Sequence, residues 1–268
     1  MSKYLFTYKA KELLSYIDWN YFFHAWDIKP KDYTSKEATL LKKEAVALVL
    51  EKTPVIKSLF RLCDAYSIGD NLMIEGVLLP LLRQQHNAKE RPNLCLSDFV
   101  SPRGDKIGIF ATAVSHSFEE ERNECDPYRS MLIQTIADRL AEAATSAMHM
   151  KVRTTPGYWG YAPNEKSTPE DLKYERYQGI RPAIGYPSLP DQSVIFILDK
   201  ILNLQEAGIK LTESGAMIPH ASVCGIMISH PAAQYFAVGN ISEEQLHDYC
   251  SRRGASIEEI GRYLVKNI

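Results

Sequence analysis

Arg181, Gly185 and Tyr186 lie in the heptapeptide Arg181, Pro182, Ala183, Ile184, Gly185, Tyr186, Pro187, which puts one cation and one phenol on a stiffened backbone. The two prolines fix φ near about −65°, and the glycine lets a bound molecule approach because it has no Cβ. Arginine presents a planar fork of donors suited to a carboxylate, and tyrosine an apolar ring with a polar tip. The segment reads as a pre-shaped ligand grip. Taken alone, it also reads as a proline-rich turn with Arg181 in water.

Other residues have two readings as well. Asp138 and Glu142 stand four apart on a predicted helix, so both carboxylates leave one stripe; their ordinary fate is a solvated face paired with Arg139 or water. Asp18 precedes Trp19 and suits the N-cap of a helix that includes Tyr21 to Trp26. Tyr235 suits a strand, and Tyr158, Trp159 and Tyr161 suit a core. His220 and His230 lie near turns, where a histidine donates or accepts without a catalytic role. Five cysteines (Cys63, Cys95, Cys125, Cys224 and Cys250) show neither CxxC spacing nor an even number, so they read as reduced, partly buried thiols rather than metal ligands or disulfides.

The elements that must position these residues follow from period and punctuation. Asp126 and Pro127 open a helix to about Met150, with Leu132, Ile136, Leu140, Ala143 and Ala147 on its apolar face. Thr168 to Asp171, Ser242 to Gln245 and Ser256 to Glu259 are further helix starts, and Gly254 is a stop. A helix is predicted from Asp191 to Gln205, ending near Gly208. Met73 to Glu75, Lys106 to Val114, Leu211 to Ile218, Val223 to Ser229 and Tyr235 to Val238 read as strands. The expectation is an α+β chain, a single domain over 1–268, with a twisted, mostly antiparallel sheet and flanking helices.

Length and composition agree with one domain. A chain of 268 residues with 45% hydrophobic content can bury roughly three quarters of its unfolded surface. The only candidate linkers, Lys89 to Pro92 and Arg153 to Pro156, are short. A net charge of −2, with acids and bases interspersed, gives no basic field for nucleic acid. The N-terminus has no signal-peptide run, and no window approaches a membrane span, so the expectation is a cytoplasmic, soluble protein with neither membrane nor nucleic acid among its partners.

The segment RPAIGYPSLPDQ, with YWGYAPNE at 158–165 and LTESGAMIPHASVCGIMISHP at 211–231, resembles the activation domain of cobalamin-dependent methionine synthase. YIDWNYFF at 16–23, CLSDFV at 95–100, ADRLAEA at 137–143 and YQGIRPA at 177–183 are similar to it in the same order, so the likeness runs from about Asp18 to the C-terminus. The resemblance implies a module that binds S-adenosylmethionine. It implies that Arg181 holds the ligand carboxylate and Asp18 its amino group, with the backbone at Ala183 and around Tyr235 along the adenine and nearby atoms, and Gly185 also among the binding residues. Tyr186 would lie beside the reactive methyl, and Glu142 and Glu175 would supply a negative field. Asp138 and Glu142 would also face the cobalamin module.

No Asp-x-His-x-x-Gly corrinoid signature occurs, so the expectation is a stand-alone activator with cobalamin carried by a partner. That partner would be a methionine synthase core, with a flavodoxin-like electron donor for reductive remethylation. No metal site of its own is expected. Gln192 departs from the family pattern, and the stretch from Asp27 to Cys63 fits it poorly. The alternative is a non-catalytic docking or regulatory module for a corrinoid protein. An ordinary methyltransferase would need a glycine-rich strand-to-helix turn, and radical chemistry a CxxxCxxC triplet; the sequence has neither.

Overall fold

A computed structural model describes residues 2–85, 92–124 and 126–264. Cys125 and most of the candidate linker from Lys89 to Pro92 lie outside these residues. Strands β1 (Lys3–Lys9), β2 (Val55–Ile68), β3 (Asn71–Ile74), β4 (Val77–Pro80) and β5 (Asp105–Val114) precede a two-stranded ribbon of β6 (Lys210–Leu211) and β7 (Met217–Ile218), then β8 (Ser222–Ile228). The main sheet runs β4-β3-β2-β5-β8, with β1 also paired to β2, and every pairing is antiparallel. β2 is long enough to hold β1 along its first half and β3 along its last four residues. A buried hydroxyl pair, Ser58 with Thr112 at 2.9 Å, ties β2 to β5 in the sheet centre.

The helices are α1 (Ala10–Leu13), α2 (Trp19–Ala25), α3 (Lys36–Lys52), α4 (His116–Glu120), α5 (Pro127–Thr154), α6 (Pro169–Lys173), α7 (Ile195–Leu202), α8 (Glu243–Arg253) and α9 (Ile257–Gly261). One sheet face packs on α1, α2, α3 and α5 through Phe60, Phe110, Leu140 and Met148. The other packs on α7 through Leu59, Ile109, Leu198 and Ile226. Alternation along β2 sends Leu59 and Phe60 to opposite faces, as a pleated strand buried on both sides requires.

α5 starts where Asp126 Oδ1 accepts from the amides of Tyr128 and Arg129 at 3.0 and 3.1 Å, with Pro127 at the position that needs no donor. It runs four residues beyond the expected Met150 and buries a face rich in alanine. Small side chains let this helix lie close to the sheet. The caps at Thr168, Ser242 and Ser256 and the left-handed stop at Gly254 form as the sequence indicates.

Three expectations need correction. Tyr235 to Val238 is not a strand: its polar groups are taken by the segment around Ser188, with Val238 N donating to Pro187 O at 2.9 Å and Phe236 N to Ser188 Oγ at 3.1 Å. Leu211 to Ile218 is not one strand but a tight ribbon that turns at Gly215, whose φ is +75°. The helix expected from Asp191 to Gln205 is continuous only over α7, because Asn203 turns left-handed at φ +59° and the amide of Leu204 is taken by the Asp199 side chain. No helix among the described residues is long and apolar enough to cross a membrane.

Candidate functional site

The Arg181 segment is fixed as an irregular extra strand on the edge of β8. Ile180 exchanges both backbone hydrogen bonds with Ile228 at 2.9 Å, Ile226 N donates to Pro182 O at 3.0 Å, and Ile184 N donates to Cys224 O at 2.9 Å. Pro182 suits an edge because it needs no N–H partner. Gly225 permits the approach, since a Cβ there would stand 2.2 Å from Pro182 O. Alternation then buries Ile180 and Ile184 against the α7 side and turns Arg181 and Ala183 toward α5.

Across this strand stands a half-buried polar stripe of α5. Arg181 Nη1 donates to Glu142 Oε2 at 3.2 Å, and Nη2 to Ser146 Oγ at 2.9 Å. The other oxygen of Glu142 accepts from the Tyr186 hydroxyl at 2.7 Å. One carboxylate therefore bridges the cation and the phenol. Burial by itself would raise the Glu142 carboxyl, but Arg181 and the Tyr186 hydroxyl outweigh it, and the group stays below the ordinary carboxylate value. Burial pushes the Tyr186 phenol up, and Glu142 adds to the rise, so this hydroxyl stays protonated and acts as a donor.

These groups line a cavity of about 600 Å³ whose wall also includes Asp18, Glu175, Ala183 and Tyr235. Asp18 Oδ1 accepts from Asn20 N at 2.9 Å, so it caps α2 as the plain reading of the sequence held, and it faces the cavity as well. Glu175 sits at the end of α6 with φ +53°, and burial raises its carboxyl. Tyr235 accepts the Arg181 amide on its phenol oxygen at 3.0 Å, which ties the loop around 235 to the grip.

Two expected positions stand apart. Gly185 is not on the wall; its φ of +81° forms the turn before Tyr186, and Gln192 packs behind it, where a Cβ would lie 2.9 Å from Oε1. Gln192 donates to Gly215 O at 3.0 Å and so joins the interior. Asp138 lies one turn before Glu142, 3.9 Å from His220 Nδ1, and burial raises its carboxyl. Tyr158 and Trp159 are partly buried and pack against the core.

The wall also contains Tyr16, Tyr21, Arg139, Ser146 and Tyr177, none of which the motifs singled out as ligand groups. Arg139 and Ser146 could have been found as the helical neighbours of Glu142, three before and four after it. Tyr21 has no such signal; it reaches the rim because α2 lies beside α5, with Arg139 5.8 Å from its ring centre. Among the described residues, no group of three or more His, Cys, Asp or Glu side chains could hold a metal ion.

The family described as "Vitamin B12 dependent methionine synthase, activation domain" matches residues 9–254. The match includes the stretch from Asp27 to Cys63, which folds as part of the domain by supplying α3 and the first half of β2. Among solved structures, the chain is similar to the crystal structure of the MetH reactivation domain bound to AdoHcy, with 35% identity and a TM-score of 0.91 over 100% of this chain and 90% of that one. With the family matched across nearly the whole chain and the fold reproduced throughout, this protein belongs to the activation-domain family of vitamin B12-dependent methionine synthases.

Proposed function

We propose that the chain binds S-adenosylmethionine in this cavity and supports reductive remethylation of inactive cobalamin carried by a methionine synthase core, with electrons from a flavodoxin-like donor. The observation that carries the reading is the Arg181–Glu142–Tyr186 bridge, a sheltered ion pair joined to a half-exposed phenol, inside a cavity of ligand size. The solved relative holds AdoHcy, the demethylated counterpart of that ligand. The residues present fit its chemistry: a cation for the carboxylate, acids for the ammonium and sulfonium, and aromatic walls for the adenine.

Arg181 takes the ligand carboxylate by exchanging it for Glu142, and Asp18 takes the amino group. The backbone at Ala183 and the Tyr235 side receive the nucleoside, while the turn at Gly185 brings Tyr186 beside the sulfonium. S-adenosylmethionine itself supplies an activated methyl group. The protein contributes orientation and a field: Glu142 and Glu175 favour the positive sulfur, and the walls exclude water from it. Asp138 and Glu142, one turn apart on α5, form the acidic face toward the cobalamin-bearing partner.

The test adds this protein to a methionine synthase core that lacks its activation domain and is trapped in the inactive cobalt(II) state. With reductant and S-adenosylmethionine, absorbance should report methylcobalamin; without S-adenosylmethionine it should not. Failure to recover under the first condition removes the reading. A core that is merely bound and shifted in conformation would leave the docking alternative.

A further inference from the structure

We infer that Arg153, which lies behind the cavity wall, is a positioning residue that sets where Arg181 meets the ligand. Glu142, Ser146, His149 and Arg153 follow one another at helical steps of four, three and four, so the stripe that reaches the ligand continues into the interior. Arg153 is wholly buried in α5. Its guanidinium grips Glu165, with Nε at 2.8 Å and Nη2 at 2.7 Å, and Nη2 also donates to Ser167 Oγ at 3.1 Å.

Two routes lead from this cation to the grip. Directly, the Arg153 guanidinium lies 4.6 Å from the ring centre of Tyr177, a wall residue, while the His149 ring meets Tyr177 at 5.1 Å and nearly edge-on. Through Glu165, the second carboxylate oxygen accepts from the amide of Gln178 at 3.1 Å. The Gln178 carbonyl accepts from Tyr161, whose hydroxyl in turn meets His149 Nε2 at 2.8 Å. The Tyr161 hydroxyl stands between the imidazole and the Gln178 carbonyl, within hydrogen-bond distance of both. Residues 177 and 178 are thus held on both sides, three positions before Arg181. The next fixed point is Ile180, bonded through its backbone to Ile228 of β8.

A filler would not look like this. Among the described residues, Nη1 of Arg153 finds no hydrogen-bond partner, so the chain bears the desolvation of a charged group that an apolar side chain of similar volume would avoid. What arginine offers and a filler lacks is a flat face for Tyr177 and a fork for Glu165 together. Lysine retains the charge and loses both.

The inference rests on the reading of Arg181 as the carboxylate holder, and the experiment separates the two. Affinities for S-adenosylmethionine and for decarboxylated S-adenosylmethionine are measured, the second by competition, in the wild type, Arg153→Lys and Glu165→Gln. Misplacing Arg181 should weaken the first ligand about tenfold in both variants while changing the second less than about twofold, because only the first presents a carboxylate to the guanidinium. Equal losses for the two ligands would mean a general structural role, and unchanged affinities no role; either overturns the inference. Glu165→Gln decides the matter should Arg153→Lys fail to fold, since Glu165 keeps part of its side chain in solvent. A wild type that binds neither ligand would instead remove the functional reading.

Discussion

Two concave regions of this molecule invite a ligand, and the setting of their charges rather than their size separates them. The groove at the far end of the sheet, lined by Asp64, Tyr66, Met73, Glu75, Lys106 and Trp159, has about 750 Å³ against about 600 Å³ for the cavity beside α5. Both contain acids, bases and aromatic rings. In the groove, Lys106 and Asp64 pair at 2.5 Å with side chains 51% and 57% exposed, so water screens them. The more sheltered of these acids, Glu75, is held at 2.8 Å by Arg61, a cation that does not line the groove. In the cavity, Arg181 and Glu142 are 17% and 22% exposed, and the carboxylate is shared with a phenol. A charge kept from water, with a partner that a ligand group can replace, distinguishes a binding site from a dent in the surface.

The largest effect that can break this contrast comes from Arg181→Ala. It removes two charge-assisted contacts worth about 1.5–3 kcal/mol each and leaves Glu142 buried without its cation. Affinity for S-adenosylmethionine should fall by about a hundredfold or more in calorimetric titration. Thermal stability should fall as well, because the orphaned carboxylate is left behind. A variant that binds within a few-fold of the wild type would move the ligand away from α5.

A smaller effect sharpens the contrast through pH. Burial, reinforced by Arg153 and Arg181, holds His149 well below its ordinary value of 6.5. Its folded-state value is depressed, so at neutral pH both states are unprotonated and nothing is lost. As pH falls below about 6.5, the unfolded chain takes up a proton that the folded chain refuses, and stability drops toward acid. The slope for one such group approaches about 1.4 kcal/mol per pH unit. His149→Gln, which keeps a hydrogen-bonding group for Tyr161, should flatten this part of the profile, as judged by urea unfolding at several pH values. A variant profile parallel to that of the wild type would mean that His149 titrates normally.

What the sequence disclosed of this site depended on whether a residue's role was local. Asp126, Thr168, Ser242 and Ser256 act on amides two or three positions away, and their caps form as read. Arg181 and Tyr186 were legible because prolines and a glycine around them constrain the backbone itself. Glu142 looked like any surface helix acid, since nothing in its own neighbourhood says that Arg181, 39 residues on, lies opposite. The strand expected at Tyr235 failed for the same reason: its partners around Ser188 are 48 residues earlier, and they are loop rather than ladder. β2, at the centre of the sheet, alternates at its ends, but Ser58, Leu59 and Phe60 are buried in succession, and burial on both faces erases there the period-two signal of a half-exposed strand. The continuation of the α5 stripe through Ser146, His149 and Arg153 was present in the spacing, yet polar residues on an apolar helix face have no meaning until the opposing strand is known.

The smallest effect tests the other region. Lys106→Ala removes the exposed partner of Asp64 and trims the aliphatic stem that floors the groove. Because both charges are solvated, stability should change by less than about 0.5 kcal/mol in denaturant titration, with no loss of S-adenosylmethionine affinity. A near-zero result is informative here, since the groove has room for a ligand of the same size. If instead Lys106→Ala weakened ligand binding, the ligand would have to be sought between β2, β3 and β5. The same titration on Asp64→Asn guards against a compensating rearrangement, because it removes the opposite charge of the pair and should leave affinity where the lysine variant leaves it.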